Sequence, residues 1–356
     1  MTSFEEQLVA VIASVRPTDP AAEERAWARL DSLTKPPRSL GRLEEIAAQV
    51  ARVQGTDHPS VAKKSVLLMA GDHGVVAEGV SAYPQDVTWQ MVANFAAGGA
   101  AINQIAKSVG AEVSVHDVGV ARDLSELAGI VHANVAHGTA NMTTGPAMSR
   151  EQAAQAVLVG VEAARRAAAT GVTLVGTGEM GIGNTTAASA LTSALTGVTP
   201  SRVVGAGTGL DAAGVEHKAD AVARALRVND VDSLDALGTL AAVGGLEIAA
   251  LAGVIIGAAV QRVTVISDGF ISGAATLAAL KLCPAAREYV MPSHLSVEPG
   301  HAIVLEHLGL KPILELDMRL GEGTGAGLAM AIVDAACEML SGMATFAEAG
   351  VAEAEV

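Results

Sequence analysis

Aromatic residues are scarce in this 356-residue chain. Phenylalanine, tryptophan and tyrosine together make up 2% of it, although half of the residues are hydrophobic. A core of small aliphatic side chains suits helices packed closely on a parallel sheet. A flat ligand would therefore be held by aliphatic and methionine side chains, and not by aromatic stacking.

Cysteine and clustered basic residues are also few. Cys283 and Cys337 stand alone, which argues against a disulfide framework or a cysteine metal site. The formal net charge is -15 with no basic run, so no nucleic-acid partner is predicted. The nine histidines include no His-x-x-x-His pair, and neither a metal nor another cofactor is predicted. Glu5 and Glu6 argue against a signal peptide, which favours a cytoplasmic location.

One apolar stretch, residues 236–260, is long enough to span a bilayer. Glu247 lies near its middle, two residues after Gly245 in Gly244-Gly245-Leu246-Glu247. A charged residue at that depth is costly, so a helix buried against a sheet is the better interpretation. No membrane span is predicted.

From residue 65 onward, short β-branched runs alternate with alanine-rich segments, a pattern typical of βαβ units. Four runs are each followed by glycine and a carboxylate: Asp72, Asp117, Glu179 and Asp268. A single aspartate after a strand is usually a helix cap. Four of them favour an acid-lined cleft at the carboxyl edge of a parallel sheet. The fold class predicted is α/β, with a Rossmann-like, mostly parallel sheet and helices on both faces.

Glycine alternates with other residues from Gly321 to Gly327, and Glu322 is the only carboxylate among them. A helical pattern follows at Leu328, Ile332, Ala335, Met339 and Met343. Glu322 is either an acid that interacts favourably with a helix dipole or a carboxylate held in a cleft as a general base. The spacing alone leaves both interpretations open.

Two further glycine-rich turns indicate nucleotide binding. Residues 176–181 match the dinucleotide fingerprint, but no acid follows about twenty residues later to bind a ribose. Residues 204–211 combine backbone N–H groups and a threonine with Lys218, a set sufficient for a monophosphate. These turns leave two alternatives open: an NAD-dependent oxidoreductase, or a nucleotide-binding sensor without catalytic activity.

Taken together, these motifs resemble the nicotinate-nucleotide:dimethylbenzimidazole phosphoribosyltransferase family, over residues from about 35 to 335. The match rests on Lys-Pro-Pro-Arg-Ser-Leu-Gly-Arg-Leu-Glu (35–44), Gly-Asp-His-Gly-Val (71–75), Gly-Pro-Ala-Met-Ser (145–149), Gly-Thr-Gly-Glu-Met-Gly-Ile-Gly-Asn-Thr-Thr (176–186), Asp-Gly-Phe (268–270), Pro-Ser-His (292–294) and Arg-Leu-Gly-Glu-Gly-Thr-Gly-Ala (319–326). Because so many motifs occur in one order, the resemblance is specific.

The resemblance implies transfer of phosphoribose from nicotinate mononucleotide to 5,6-dimethylbenzimidazole, giving α-ribazole 5′-phosphate and nicotinate for cobalamin assembly. It implies that Glu322 is the general base and that Glu179 and Asp268 serve the ribose or its cationic transition state. The residues implied for phosphoribose are Gly178, Asn184, Thr185, Gly205, Gly207, Gly209, Lys218 and Ser296. Those implied for the base are Tyr83, Met91, Met180 and Leu320.

The resemblance also implies a homodimer and a division into domains. The large α/β domain is expected over residues 61–304, and a small helical domain over 1–60 and 305–345. Residues 346–356 are expected to be a frayed acidic tail.

Two positions depart from the family pattern: Arg38 replaces the usual glycine, and Met91 replaces a glutamine found in some members. Because relatives that attach adenine or phenolic bases share most of the pattern, the acceptor base stays open.

Overall fold

A single parallel sheet lies at the centre of the protein. The computed structural model describes residues 3–207 and 209–352. Within that part, six strands occur: β1 (Lys64–Gly71), β2 (Ala111–Gly119), β3 (Val131–His132), β4 (Leu174–Met180), β5 (Thr264–Ser267) and β6 (Val290–Pro292). They lie in the order β3-β2-β1-β4-β5-β6 and all pair in parallel, which confirms the predicted Rossmann-like sheet.

Helices cover both faces of this sheet, as predicted. In chain order the α-helices are α1 (Phe4–Ser14), α2 (Pro20–Ser32), α3 (Arg42–Gln54), α4 (Val87–Ala96), α5 (Ala101–Ser108), α6 (Arg150–Ala169), α7 (Asn184–Thr196), α8 (Pro200–Val203), α9 (Ala212–Val228), α10 (Ala236–Val243), α11 (Leu246–Gln261), α12 (Phe270–Leu282), α13 (Pro299–Leu308), α14 (Thr324–Gly342) and α15 (Phe346–Ala349). Short 3₁₀ helices occupy Gly74–Glu78, Val231–Ser233 and Pro284–Tyr289.

The side chains of β1 alternate between two hydrophobic clusters, one on each face of the sheet. Leu67 and Met69 belong to a cluster with α6, α7, α11 and α12 on one face. Val66 and Leu68 belong to a second cluster with α2, α3, α5 and α14 on the other. Successive side chains of a strand point to opposite faces, so one buried strand supplies both layers of the core.

The α6–α11 contact explains why the aromatic content is so low. A Cβ on Gly253 would overlap the backbone carbonyl of Val157, and a Cβ on Gly160 would overlap that of Ala250. The two helix backbones therefore meet directly, and small residues are required where they cross. Alanine and valine fill the space around this crossing.

We expect Gly253→Ala to lower the free energy of unfolding by about 3 kcal/mol, because the added methyl forces the helices apart. Urea unfolding measures this change. Gly342→Ala is the matched control: its added Cβ meets nothing within 4 Å, and in a helix the change stabilises by about 0.5–1 kcal/mol. Equal unfolding free energies for wild type and Gly253→Ala would show that the crossing has room.

The helices from the two chain ends share a core with the sheet. Helices α2, α3 and α14 lie in the same hydrophobic cluster as Val66 and Leu68. Helix α1 instead packs against α6 on the opposite face. The boundaries at residues 60/61 and 304/305 stay a prediction, and α1 contacts the part assigned to the large domain.

The tail differs in part from its expectation. Phe346–Ala349 form the one-turn helix α15, because the Thr345 side chain accepts the backbone N–H of Glu348 while the Glu348 side chain accepts that of Thr345. The expectation for residues 353–356 lies outside the described residues.

The apolar stretch at 236–260 forms two buried helices, α10 and α11, interrupted at Gly244 and Gly245. This agrees with the predicted buried arrangement. Within the described ranges, α14 is the one helix whose length and composition would also allow a membrane crossing, and half of its apolar window is buried inside the protein. Such a helix is weak evidence for a span, since core helices pass the same test.

Candidate active site

A cavity of about 500 Å³ opens at the carboxyl ends of β4, β5 and β6. In an open α/β sheet ligands bind at this edge, near the point where strand order reverses, here between β1 and β4. The volume suits a small-molecule ligand. Its lining includes these residues predicted from the sequence: Tyr83, Met91, Glu179, Met180, Asn184, Thr185, Gly207, Asp268, Ser296, Leu320 and Glu322.

The turn that carries Glu322 has an uncommon backbone. Gly321, Glu322 and Gly323 all have positive φ, at 87°, 63° and 87°. Such a conformation is costly for glutamate and persists only where the surroundings impose it. Gly178 is part of the reason: a Cβ there would lie 2.7 Å from the Glu322 carbonyl oxygen, so only glycine lets β4 approach the turn this closely.

The Glu322 carboxyl lies in the cavity wall, 7% exposed. Burial raises its pKa, and the backbone N–H of Ile102 at the start of α5 opposes that rise. Its Oε2 atom is buried without a hydrogen-bond partner among the described residues. A buried carboxylate with raised proton affinity and a free oxygen is suited to accept a proton.

Glu179 lies beside this turn, at the end of β4. Burial, followed by the nearby carboxylates of Asp268, Glu247 and Glu322, raises the pKa of Glu179 to about 8. Asn184 donates a hydrogen bond to its Oε2 atom. The raised pKa favours the protonated form of Glu179, which can donate a hydrogen bond to a ligand hydroxyl.

Asp268 holds the turn in place. Its Oδ2 accepts the N–H of Gly323 at 3.1 Å, and its Oδ1 accepts the N–H of Ala326 at 2.9 Å. It thus caps α14 and not α12, the helix that follows it in sequence. Burial raises its pKa to about 7, although these backbone donors favour the ionised form. The residue lines the cavity, but its observed contacts fix the position of Glu322.

We expect Asp268→Asn to lower the thermal midpoint and kcat together, because an amide offers one acceptor where the carboxylate uses two. The cost is about 1–3 kcal/mol. Asp211→Asn is the control, since Asp211 caps α9 through a single oxygen and asparagine caps equally well. A large loss of kcat with an unchanged midpoint would instead indicate direct contact with the reacting groups.

The predicted anion-binding turn also borders the cavity, through Gly207. Lys218 is fully buried and donates to Thr185 Oγ1 at 2.7 Å. A Cβ on Gly207 would lie 2.9 Å from the Lys218 ammonium, so the cation reaches the turn directly. Arg319 Nη1 lies 3.4 Å from the Gly207 carbonyl oxygen. Two cations thus flank one backbone turn, an arrangement suited to an anion.

Four predicted residues are absent from the lining. Gly178 lies within β4 against the Glu322 backbone, and Lys218 lies behind Gly207. Gly205 abuts the Glu298 side chain, and Gly209 is exposed at φ 112°. Thr208, in the same turn, lies outside the described residues. Gly178 therefore contributes to the site by packing and not by facing the cavity.

Four polar lining residues were not predicted from the sequence: Ser272, His294, Glu298 and Arg319. His294 and Glu298 belong to the loop after β6, a strand of three residues that gives no periodic signal. Arg319 is in a quoted motif, but an exposed arginine before a glycine run has no feature that distinguishes it from a solvated side chain.

The dinucleotide fingerprint at 176–181 is a coincidence of sequence. Gly176 and Gly178 lie inside β4, where pyrophosphate-binding glycines would need to be in the loop after the strand. Cβ atoms there would meet Met330, Ala326 and the Glu322 carbonyl, so these glycines admit α14 against the sheet. The interpretation as an NAD-dependent oxidoreductase is therefore wrong.

The motif at 35–44 is structural and does not bind the cavity's ligand. Lys35 Nζ lies 2.9 Å from Glu44 Oε1, and both side chains are buried. Arg38, at φ 61°, explains why glycine is usual at this position. Its guanidinium lies 3.8 Å above the Trp27 ring and also pairs with Asp31, contacts that offset the backbone strain.

The Gly-Asp-His-Gly-Val motif (71–75) lies directly behind the site. His73 Nε2 and Glu247 Oε1 are 2.7 Å apart, and both side chains are buried. Asp72 Oδ2 accepts the N–H of Ala121. A Cβ on Gly181, which lines the cavity, would lie 3.3 Å from His73. This pair therefore supports the wall beside Glu179. No group of three His, Cys, Asp or Glu side chains suited to a metal occurs in residues 3–207 and 209–352.

A Rossmann-type sheet, an acid-lined cavity at its switch point and a cation-flanked glycine turn define a nucleotide-binding α/β protein. The family model described as "Phosphoribosyltransferase" matches residues 15–351. The nicotinate-nucleotide–dimethylbenzimidazole phosphoribosyltransferase of Chloroflexus aggregans is 53% identical over 346 residues, covering 97% of this chain and 98% of its own. The enzyme of the same name from Geobacter metallireducens is 50% identical over 344 residues, covering 97% and 98%.

Solved structures agree. The crystal structure of CobT from Thermus thermophilus superposes with a TM-score of 0.91 at 50% identity, covering 94% of this chain and all of that one. This chain belongs to the nicotinate-nucleotide–dimethylbenzimidazole phosphoribosyltransferase family.

Proposed function

We propose that this protein transfers phosphoribose from nicotinate mononucleotide to 5,6-dimethylbenzimidazole or a related azole, with Glu322 as general base. One observation carries the proposal: an unpartnered, buried carboxylate faces the same cavity as an apolar wall. The wall consists of Tyr83, Met91, Met180 and Leu320. A flat azole held there would present its N–H to Glu322. The names of the relatives support the same reaction.

The proposed reaction requires one proton acceptor and no acid from the protein. As one azole nitrogen attacks the ribose carbon, the other loses its proton to Glu322. Nicotinate leaves from a positively charged nitrogen and needs no acid. Positioning and electrostatic stabilisation of a cationic ribose supply much of the remaining rate. Glu179, a buried carboxyl in the cavity lining, is suited to hydrogen-bond the ribose hydroxyls during this step.

The phosphate is assigned to the turn around Gly207. Lys218, Arg319 and the backbone of Gly207 supply cations and an N–H donor there. Asn184, Thr185 and Ser296 line the same cavity. The cavity therefore offers separate groups for the phosphate of a mononucleotide and for the azole acceptor.

The test is product analysis. The protein is incubated with nicotinate mononucleotide and a panel of benzimidazoles, purines and phenols, and the products are separated by chromatography. We expect α-ribazole 5′-phosphate and nicotinate from the benzimidazole. Met91, which cannot hydrogen-bond strongly, favours an apolar acceptor over adenine. A protein that binds the nucleotide but releases no nicotinate with any acceptor would be a sensor and not a transferase.

We also propose a cytoplasmic homodimer. Leu320 and Tyr83 are more than half exposed at the rim of the cavity, and such apolar side chains are suited to a subunit contact. Cys283 and Cys337 are both free and buried, in keeping with a reducing compartment. Light scattering after gel filtration measures the mass; a monomer at micromolar concentration would contradict the dimer.

A further inference from the structure

The anion-binding turn already holds an anion, the carboxylate of Glu298. Glu298 Oε1 accepts the N–H of Gly207 at 2.9 Å. Its other oxygen, Oε2, lies so close to Gly205 that a Cβ there would overlap it. The side chain is 6% exposed and lines the cavity. Glu298 thus occupies the glycine turn that the sequence assigns to phosphate.

This contact leaves polar groups unsatisfied on both sides. Glu298 Oε2 is buried without a hydrogen-bond partner in the described part of the chain. The buried Lys218 ammonium donates to Thr185, and among the described residues no carboxylate lies within 4.0 Å of it. Buried polar groups in a completed structure normally have partners. The turn is therefore filled, but with a ligand that satisfies only one of its donors.

A carboxylate and a phosphate cannot use this turn together. Both carry negative charge, and in a buried site their repulsion costs several kcal/mol. Both would also need the single N–H of Gly207. A phosphate dianion has three acceptor oxygens and can engage Gly207, Lys218 and Arg319. The Glu298 carboxylate hydrogen-bonds Gly207 and attracts Lys218 only through its charge at longer range.

We propose that Glu298 is an internal competitor for the phosphate-binding turn and thereby sets the affinity of the site for phosphorylated ribosides. Resting on the proposed function, this assigns the displacement of Glu298 to the substrate's phosphate. The competition reduces the apparent affinity for every anion in proportion to the fraction of molecules in which the turn is free. An unphosphorylated riboside does not use the turn, so its binding does not depend on Glu298.

The test compares Glu298→Gln with Glu306→Gln by calorimetry. The glutamine keeps the acceptor for Gly207 and the shape of the side chain but loses the charge. Glu306 is exposed on α13, the helix that begins directly after Glu298, and its variant makes the same change in net charge. We expect Glu298→Gln to bind inorganic phosphate and nicotinate mononucleotide at least about fivefold more tightly. Binding of nicotinate riboside and all binding by Glu306→Gln stay at the wild-type value.

Equal or weaker phosphate binding by Glu298→Gln would overturn the inference and make Glu298 a structural support of the turn. If thermal melting shows that Glu298→Gln is not folded, Glu298→Asp is used in its place. The shorter aspartate side chain does not reach Gly207, so phosphate must again bind more tightly than to the wild type. Turnover separates the two proposals. Tighter phosphate binding without any phosphoribosyl transfer would uphold Glu298's role and refute the transferase, and the reverse result would refute Glu298's role alone.

Discussion

Glu322→Gln is expected to lower kcat for phosphoribosyl transfer by about 10²–10⁴-fold, the usual contribution of a positioned general base. The amide has nearly the shape of the carboxyl and should preserve the turn, whose backbone is fixed by Asp268 and not by the Glu322 side chain. It cannot accept the azole proton. Binding of nicotinate mononucleotide is expected to remain unchanged, because the proposed phosphate contacts are Lys218, Arg319 and Gly207 and not Glu322.

The matched control for this prediction is Glu315→Gln, an equal change of charge at an exposed position seven residues earlier. It should retain the wild-type kcat. Single-turnover kinetics distinguish a slow chemical step from slow product release. A Glu322→Gln variant as fast as wild type would remove Glu322 from the mechanism and leave its strained backbone without a catalytic explanation.

The sheet was predictable because its central strands are buried on both faces. Strands of that kind are largely continuous apolar runs, as in residues 66–70 of β1, 174–175 of β4 and 265–266 of β5. The edge strands β3 and β6 have two and three residues, too few for any periodicity. Their existence depends on pairing with neighbours distant in sequence, which local pattern does not encode.

The four residues predicted for the base all line the cavity, whereas the contacts that support the site were not predicted. Met180 and Leu320 belong to motifs of the family resemblance, and Tyr83 and Met91 lie between two such motifs. The bonds from Asp268 to the start of α14 join residues more than fifty positions apart. A helix cap supplied by a residue so far away in sequence leaves no local pattern, because an N-cap residue is recognised in a sequence only when it directly precedes its helix.

The electrostatic role of Glu298 could not be predicted from the sequence either. From sequence it is a glutamate before Pro299 at a helix start, a position where an acid needs no further explanation. In the structure its side chain makes no capping bond and turns to Gly207 instead. Only the packing of α13 against the segment before α9 reveals that an acid and a phosphate-binding turn coincide.

Lys218→Met is expected to raise KM for nicotinate mononucleotide by about 10–100-fold, the loss of one buried charged hydrogen bond to phosphate. The same change should not destabilise the protein. Burial lowers the pKa of Lys218 from its ordinary 10.5 to about 8, a difference of about 3 kcal/mol against the charged form. Methionine removes this cost and loses the bond to Thr185, about 1 kcal/mol. The variant should therefore unfold at higher urea concentration while binding its substrate poorly, and Lys281→Met, exposed on α12, should alter neither quantity.

The pH dependence gives a separate check on Lys218. Because its pKa is lower in the folded state, the cost of burying the ammonium is fully present below about pH 8. Between about pH 8 and 10.5 the unfolded chain binds more protons, so stability from this group rises with pH and the advantage of Lys218→Met shrinks. Over the same range wild-type affinity for nicotinate mononucleotide should fall as the ammonium loses its proton, whereas the weaker affinity of Lys218→Met should stay flat. Parallel pH profiles for both proteins would show that another group binds the phosphate.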